Sequence, residues 1–173
     1  MSRNHSLTGV ERTFATSEVI VSKTDTKGII TYANEVFLRI ADYTLEEVLG
    51  KPHNLIRHPD MPKIVYRLLW ERIKSGKEIF AYVVNRTKHG DHYWVFAHAT
   101  PSFDKNKNIV GAHSNRRSPD PAAIKIIEPI YKLLKQEEAK HPMAKDGMDA
   151  ALALLSSVLA EKGVSYDEFI LSL

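Results

Sequence analysis

At 173 residues the chain has room for one domain of ordinary size plus an appendage, and 43% hydrophobic with 26% charged residues is the balance of a soluble globular protein. Its net charge of +3 is spread over 24 basic and 21 acidic residues, without the concentrated basic face that nucleic-acid binding uses. The absence of cysteine excludes disulfides, thiolate nucleophiles and Cys-based zinc sites. No apolar run approaches a membrane span; the most apolar stretch, "ALALLSSVLA", is short and broken by serines. The first residues lack the apolar core of a secretory signal, so a cytoplasmic location is expected.

Residues 18–24 and 29–34 read as two strands joined by the turn "DTKG". A short amphipathic helix follows, marked by Val36, Phe37, Ile40 and Ala41. Thr44 with Glu47 forms a capping box for a second, closed by Gly50. The segment "KPHNLIRHPDMP" (51–62) is too polar for core, and its three prolines stiffen it. Asp60 stands where an N-cap belongs, ahead of a helix over 61–75. That helix carries an apolar stripe (Met61, Ile64, Val65, Leu68, Leu69) and a second row of Tyr66, Trp70 and Ile73. Strands are expected over 78–86, 92–101 and 109–117, then helices over 121–138, 148–162 and 165–172. The chain divides accordingly into an N-terminal segment (1–17), an α+β domain (18–118) and a helical extension (119–173). His89, Asp91 and His92 look superficially like metal ligands but flank Gly90 in a hairpin turn, where solvated side chains are the simpler reading.

The strand–strand–helices–strand–strand–strand order is that of a PAS domain: a five-stranded antiparallel sheet with helices on one face, here with added C-terminal helices. "YANEVFLRIADYTLEEVLGKPHNLIRHPDMP", "NRTKHGDHYWV" and the helix carrying Trp70 resemble the FAD-binding PAS domain of aerotaxis transducers over roughly residues 20–118. The resemblance implies a flavin pocket between the sheet and the helices, with Asn34, Arg57, His58, Asp60, Tyr66, Trp70 and Asn85 at the flavin-associated positions. The chemistry of these side chains agrees. Trp70 and Tyr66, one turn apart, can wall a flat ring, and Asn85 can pair with its pyrimidine edge. Arg57 can hold a pyrophosphate, while Asp60 is better suited to capping a helix or orienting Arg57. Each residue also has a plainer role: Trp70 and Tyr66 as core, Asn34 as a helix cap, Arg57 and His58 as surface loop. Lacking cysteine, the chain cannot form the flavin–cysteinyl adduct of light-oxygen-voltage domains, so a flavin here would report redox state.

Strand alternation adds one inference. If Asn85 faces the pocket, then Phe80, Tyr82, Trp94 and Phe96 form an aromatic outer face that the N-terminal segment, the C-terminal helices or a partner must cover. The resemblance implies a redox or oxygen sensor for energy taxis that signals to a methyl-accepting chemotaxis-type transducer in a separate chain. Such a sensor would be cytoplasmic or recruited to the inner membrane by that partner, and able to form homodimers through the outer sheet face or the C-terminal helices. Two other readings stay open at the level of sequence. One is a haem-binding gas sensor using His53, His58 or His113; the other is a cofactor-free interaction module. An enzyme is not expected, since no nucleophile–base constellation is visible.

Overall fold

The computed structural model describes residues 6–173. Strands β1 (Ile20–Asp25), β2 (Ile30–Ala33), β3 (Ile79–Arg86), β4 (His92–Phe103) and β5 (Ile109–Arg117) form one antiparallel sheet in the order β2-β1-β5-β4-β3. Between β2 and β3 lie α1 (Glu35–Ala41), α2 (Leu45–Val48), a 3-10 turn (His53–Ile56) and α3 (Lys63–Lys74). After β5 come α4 (Pro121–Ala139), α5 (Ala144–Lys162) and α6 (Tyr166–Leu171). Among the described residues no helix is long and apolar enough to cross a membrane.

Local chemistry sets the hairpins. Asp25 Oδ1 accepts from the amides of Lys27 and Ile29 at 2.8 and 2.9 Å, closing the β1–β2 turn over Gly28 at φ 80°. Asp104 does the same for Asn106 and Asn108 between β4 and β5. The expected capping box of Thr44 and Glu47 is present on α2, and Ser165 with Glu168 forms another on α6. Residues 8–12 run beside the start of β4, with Thr8 N–H donating to Gly90 O and His92 N–H to Val10 O. A Cβ at Gly90 would stand 2.3 Å from Ser6 O, so this docking requires glycine.

Two helix starts differ from the sequence reading. α3 begins at Lys63, two residues late, and its N-cap is Pro62, not Asp60. The chain first turns through a Met61 N–H to His58 O bond, which puts Asp60 outside the helix and exposed. α5 begins at Ala144, four residues early, because Gly147 lies inside it. A Cβ on Gly147 would come within 2.6 Å of Glu138 O, so this glycine marks the close crossing of α5 on α4 and not a loop.

Helices cover both sheet faces. Phe37, Ile40, Ile56, Met61, Ile64, Tyr93 and Val95 are buried in the core that includes α1 and α3. On the outer face the C-terminal helices close the aromatic surface. Tyr131 of α4 stacks on Trp94 and donates to Tyr82 O at 2.6 Å, and Tyr166 of α6 donates to Phe80 O at 3.1 Å. Of the three covers the sequence left open, the chain uses its own C-terminal helices.

Candidate ligand cavity

The residues facing inward from β1, β3, β4 and β5 are mostly small. Val83, Ala97, Ala99, Ala112, Ser22 and Ser114 leave a gap of about 190 Å³ between the sheet and α3. The opposite wall is Tyr66, Leu69 and Trp70, which share one face of α3; the 3-10 turn and Arg57 close a third side. Exposed Lys27, Asn54 and Arg57 mark the mouth, and buried Asn85 and Arg116 the floor.

The electrostatics of this cavity are one-sided. Lys27, Arg57 and Arg116 line it, and none of the described lining residues is Asp or Glu. Arg116 is only 3% exposed. Its Nη2 donates to His53 Nε2 at 2.9 Å and to Ser22 Oγ, while Nη1 is buried without a partner. Burial pulls the Arg116 pKa down from its ordinary value. His53 Nε2 must be an acceptor here, so the neutral ring carries its proton on Nδ1. Desolvation first, then the charges of Arg116 and Arg57, push the His53 pKa down to about 3. Burial pushes the Tyr66 phenol up to about 12, and its hydroxyl takes no hydrogen bond. The Arg57 guanidinium lies 3.8 Å from the centre of the Tyr66 ring, a cation–π contact at the mouth. The buried Asn85 side chain lines the floor, and no hydrogen bond among the described residues uses its amide.

Four of the seven residues singled out from sequence therefore come together: Arg57, Tyr66, Trp70 and Asn85. Three stand elsewhere. Asn34 caps α1, accepting from Phe37 N–H and Val21 N–H and donating to Val19 O, so both the oxygen and the nitrogen of its amide are engaged by backbone. His58 and Asp60 lie on a second cavity on the outer side, beside Val84, Trp94 and Tyr131. The reason is local geometry. Arg57 is extended (φ −68°, ψ 125°) and bridges Asn85 backbone to backbone, so Arg57 turns inward and the next residue turns outward. His58 Nδ1 accepts from Asp60 N–H at 3.2 Å. Arg116 and His53 are the site residues that sequence reasoning about the flavin positions missed. An arginine alternating inward on β5, in a chain segment otherwise small and polar, was the available clue. Of the histidines weighed as haem ligands, only His53 lines this cavity, and its Nε2 is occupied by Arg116 and Ser22. Asp91 of the β3–β4 turn is taken by Thr8 and Arg12.

Residues 30–115 match a family model described as the PAS fold. The chain is 40% identical over 134 residues to the aerotaxis receptor of Escherichia coli, an alignment covering 78% of this chain and 26% of the receptor. It is 35% identical over 81 residues to the biofilm dispersion protein BdlA of Pseudomonas aeruginosa, covering 46% and 19%. The chain thus spans about a quarter or less of the length of these relatives. Among solved structures, the light state of the blue-light photoreceptor Aureochrome1 LOV superposes with a TM-score of 0.56 at 22% identity, covering 62% of this chain and 86% of that one. That likeness is one of fold. With its five-stranded sheet, its PAS-fold match and its identity to the aerotaxis receptor over most of its length, the chain belongs to the PAS sensor family of the aerotaxis-receptor type.

Proposed function

We propose that the chain is an FAD-binding PAS sensor that reports redox or oxygen-linked energy status to a chemotaxis-type transducer in a separate chain. The observation that carries this reading is the cavity itself. It is walled by Trp70 and Tyr66, cationic without a compensating acid, and floored by a free Asn85 amide. Orphaned polar atoms on the lining residues Tyr66, Arg116 and Thr24 fit a ligand rich in hydrogen-bonding groups. A space of about 190 Å³ is below the ~300–1,000 Å³ of sites that enclose a drug-sized molecule whole. It suits one part of a dinucleotide, with the phosphates at the mouth beside Arg57 and Lys27.

A bound flavin supplies reversible redox chemistry, with its N5 an acceptor when oxidised and a donor when reduced. The chain's residues do the rest. Trp70 and Tyr66 orient the ring and exclude water, and Arg57 holds phosphate as a fork of donors. Asn85 can answer the inversion at N5 by rotating its amide, exchanging oxygen for nitrogen. A carboxylate from Asn85→Asp could not. A role in aerotaxis-type signalling is supported by the likeness to the aerotaxis receptor of Escherichia coli.

The test is an absorption spectrum of purified protein with the released cofactor identified. FAD is expected at about one per chain. Trp70→Ala and Arg57→Ala should each weaken its retention by ~1–3 kcal/mol. Colourless protein that takes up no added FAD would overturn the reading, as would full retention in both folded variants. A Soret band would replace it with haem.

A further inference from the structure

We infer that the floor of the cavity binds one compact monovalent anion of the halide class, held by Arg116 Nη1 and the hydroxyls of Tyr66 and Tyr93. The site needs no flavin: that reading rests on Trp70, the ring face of Tyr66, Arg57 and Asn85. Three buried polar atoms in one neighbourhood have no hydrogen-bond partner, namely Arg116 Nη1, Tyr66 Oη and Tyr93 Oη. Arg116 is 3% exposed, and Tyr93 is fully buried. The three are within electrostatic reach of one another. Burial pushes both phenols up, and cationic charge pulls back on each, from Arg57 and Arg116 at Tyr66 and from Arg116 at Tyr93.

Charge decides what these atoms can hold. The Arg116 guanidinium has three partners, and all are neutral. Ser114 Oγ accepts from Nε at 3.1 Å, His53 Nε2 accepts from Nη2 at 2.9 Å, and Ser22 Oγ also accepts from Nη2. No lining residue among those described is Asp or Glu, and Lys27 and Arg57 add charge of the same sign. A neutral occupant would complete the hydrogen bonds and still leave a buried charge uncompensated. An anion supplies both the acceptor and the missing charge. With their pKa values raised, both phenols keep their protons at neutral pH, so each hydroxyl is able to donate.

The surroundings set the size and valence. Ser22, Ala97 and Ser114 are small and leave room at the floor of the cavity of about 190 Å³. Arg116 also lies over the Phe37 ring, with its guanidinium carbon 5.6 Å from the ring centre. Phe37 is fully buried and offers no donor, so a hydrated or multivalent anion would bring oxygens that nothing there can satisfy. One uncompensated guanidinium with two hydroxyls matches a single compact negative charge. The open mouth beside Lys27 and Arg57 gives such an ion a cationic way in.

Bromide is the probe. Crystals of the full chain grown with sodium bromide, with whatever cofactor the protein carries, should show an anomalous peak within hydrogen-bond reach of Arg116 Nη1. Arg116→Met crystals should lose that peak and keep any bromide on the surface. In solution, the thermal unfolding midpoint is compared in bromide and in gluconate, which is too large for the site, at equal ionic strength. The midpoint in bromide relative to gluconate should be higher for wild type than for Arg116→Met. Tyr93→Phe keeps the ring and removes one donor, so it should weaken bromide binding about fivefold, the equivalent of one hydrogen bond. It carries the test if Arg116→Met does not fold. A water on Nη1 that bromide does not replace, or the same midpoint difference in wild type and variants, would overturn the site. A flavin oxygen on Nη1 would overturn it too and leave the flavin reading standing. A bromide peak in protein that takes up no flavin supports the site and removes only the cofactor reading.

Discussion

The two faces of β3 and β4 are made by alternate residues of the same strands, yet they follow opposite rules. The outer face is large and aromatic, filled by the C-terminal helices, and its buried tyrosines find carbonyls: Tyr131 on Tyr82 and Tyr166 on Phe80. The inner face around the cavity is small, with Val83, Ala97 and Ala99, and its polar atoms are left over: Asn85, Tyr66 and one nitrogen of Arg116. A protein organised only for stability would fill and satisfy both sides. The contrast marks the outer face as packing and the inner face as the side that holds the cavity proposed above to take a ligand.

The largest expected effect breaks the outer face. Tyr131→Ala should cost about 3–5 kcal/mol of unfolding free energy by urea denaturation, since it removes a buried ring and orphans Tyr82 O. Trp70→Ala, on the half-buried inner wall, should cost far less stability and act on ligand retention instead. Equal losses at the two positions would erase the distinction.

Acid should reveal the inner face next. The folded-state pKa of His53 is about 3, below its ordinary 6.5, so the unfolded chain binds the extra proton first as pH falls. Stability from this residue is fully present above pH 6.5. It should decline by about 1.4 kcal/mol per pH unit toward pH 3. His58 and His113, also shifted down by burial, add to the upper part of the fall. Unfolding midpoints at pH 7, 5 and 4 measure it, and His53→Gln should flatten the slope.

Arg116→Met sharpens the same point with a smaller stability change, within about 1 kcal/mol of wild type without ligand, because it removes a buried charge that has no acid partner. It should raise the His53 pKa, read by NMR titration, since the Arg116 charge is the second cause of its depression after burial. It should also weaken flavin binding. Smallest is Tyr131→Phe, expected to cost ~1 kcal/mol by losing one buried hydrogen bond while keeping the ring.

Much of this was legible in the sequence. The period-2 runs placed the five strands, with the bounds of β5 matched at both ends, and turn chemistry at "DTKG" and "DKNKN" placed the hairpins. Alternation about Asn85 correctly divided inner from outer residues on β3 and β4. These are local or short-range properties, decided by backbone dihedrals and side-chain periodicity. What covers the outer face, which of Arg57 and His58 turns inward, and how α3 is capped depended on partners far away in the chain. Arg57 is directed by a bridge to Asn85, α3 by Glu138 from the other end of the molecule, and the early start of α5 by the crossing that only Gly147 permits. The uncompensated Arg116 belongs to the same class: a charged residue's partner, or its lack of one, is a fact of three-dimensional neighbourhood, and no spacing along the chain encodes it.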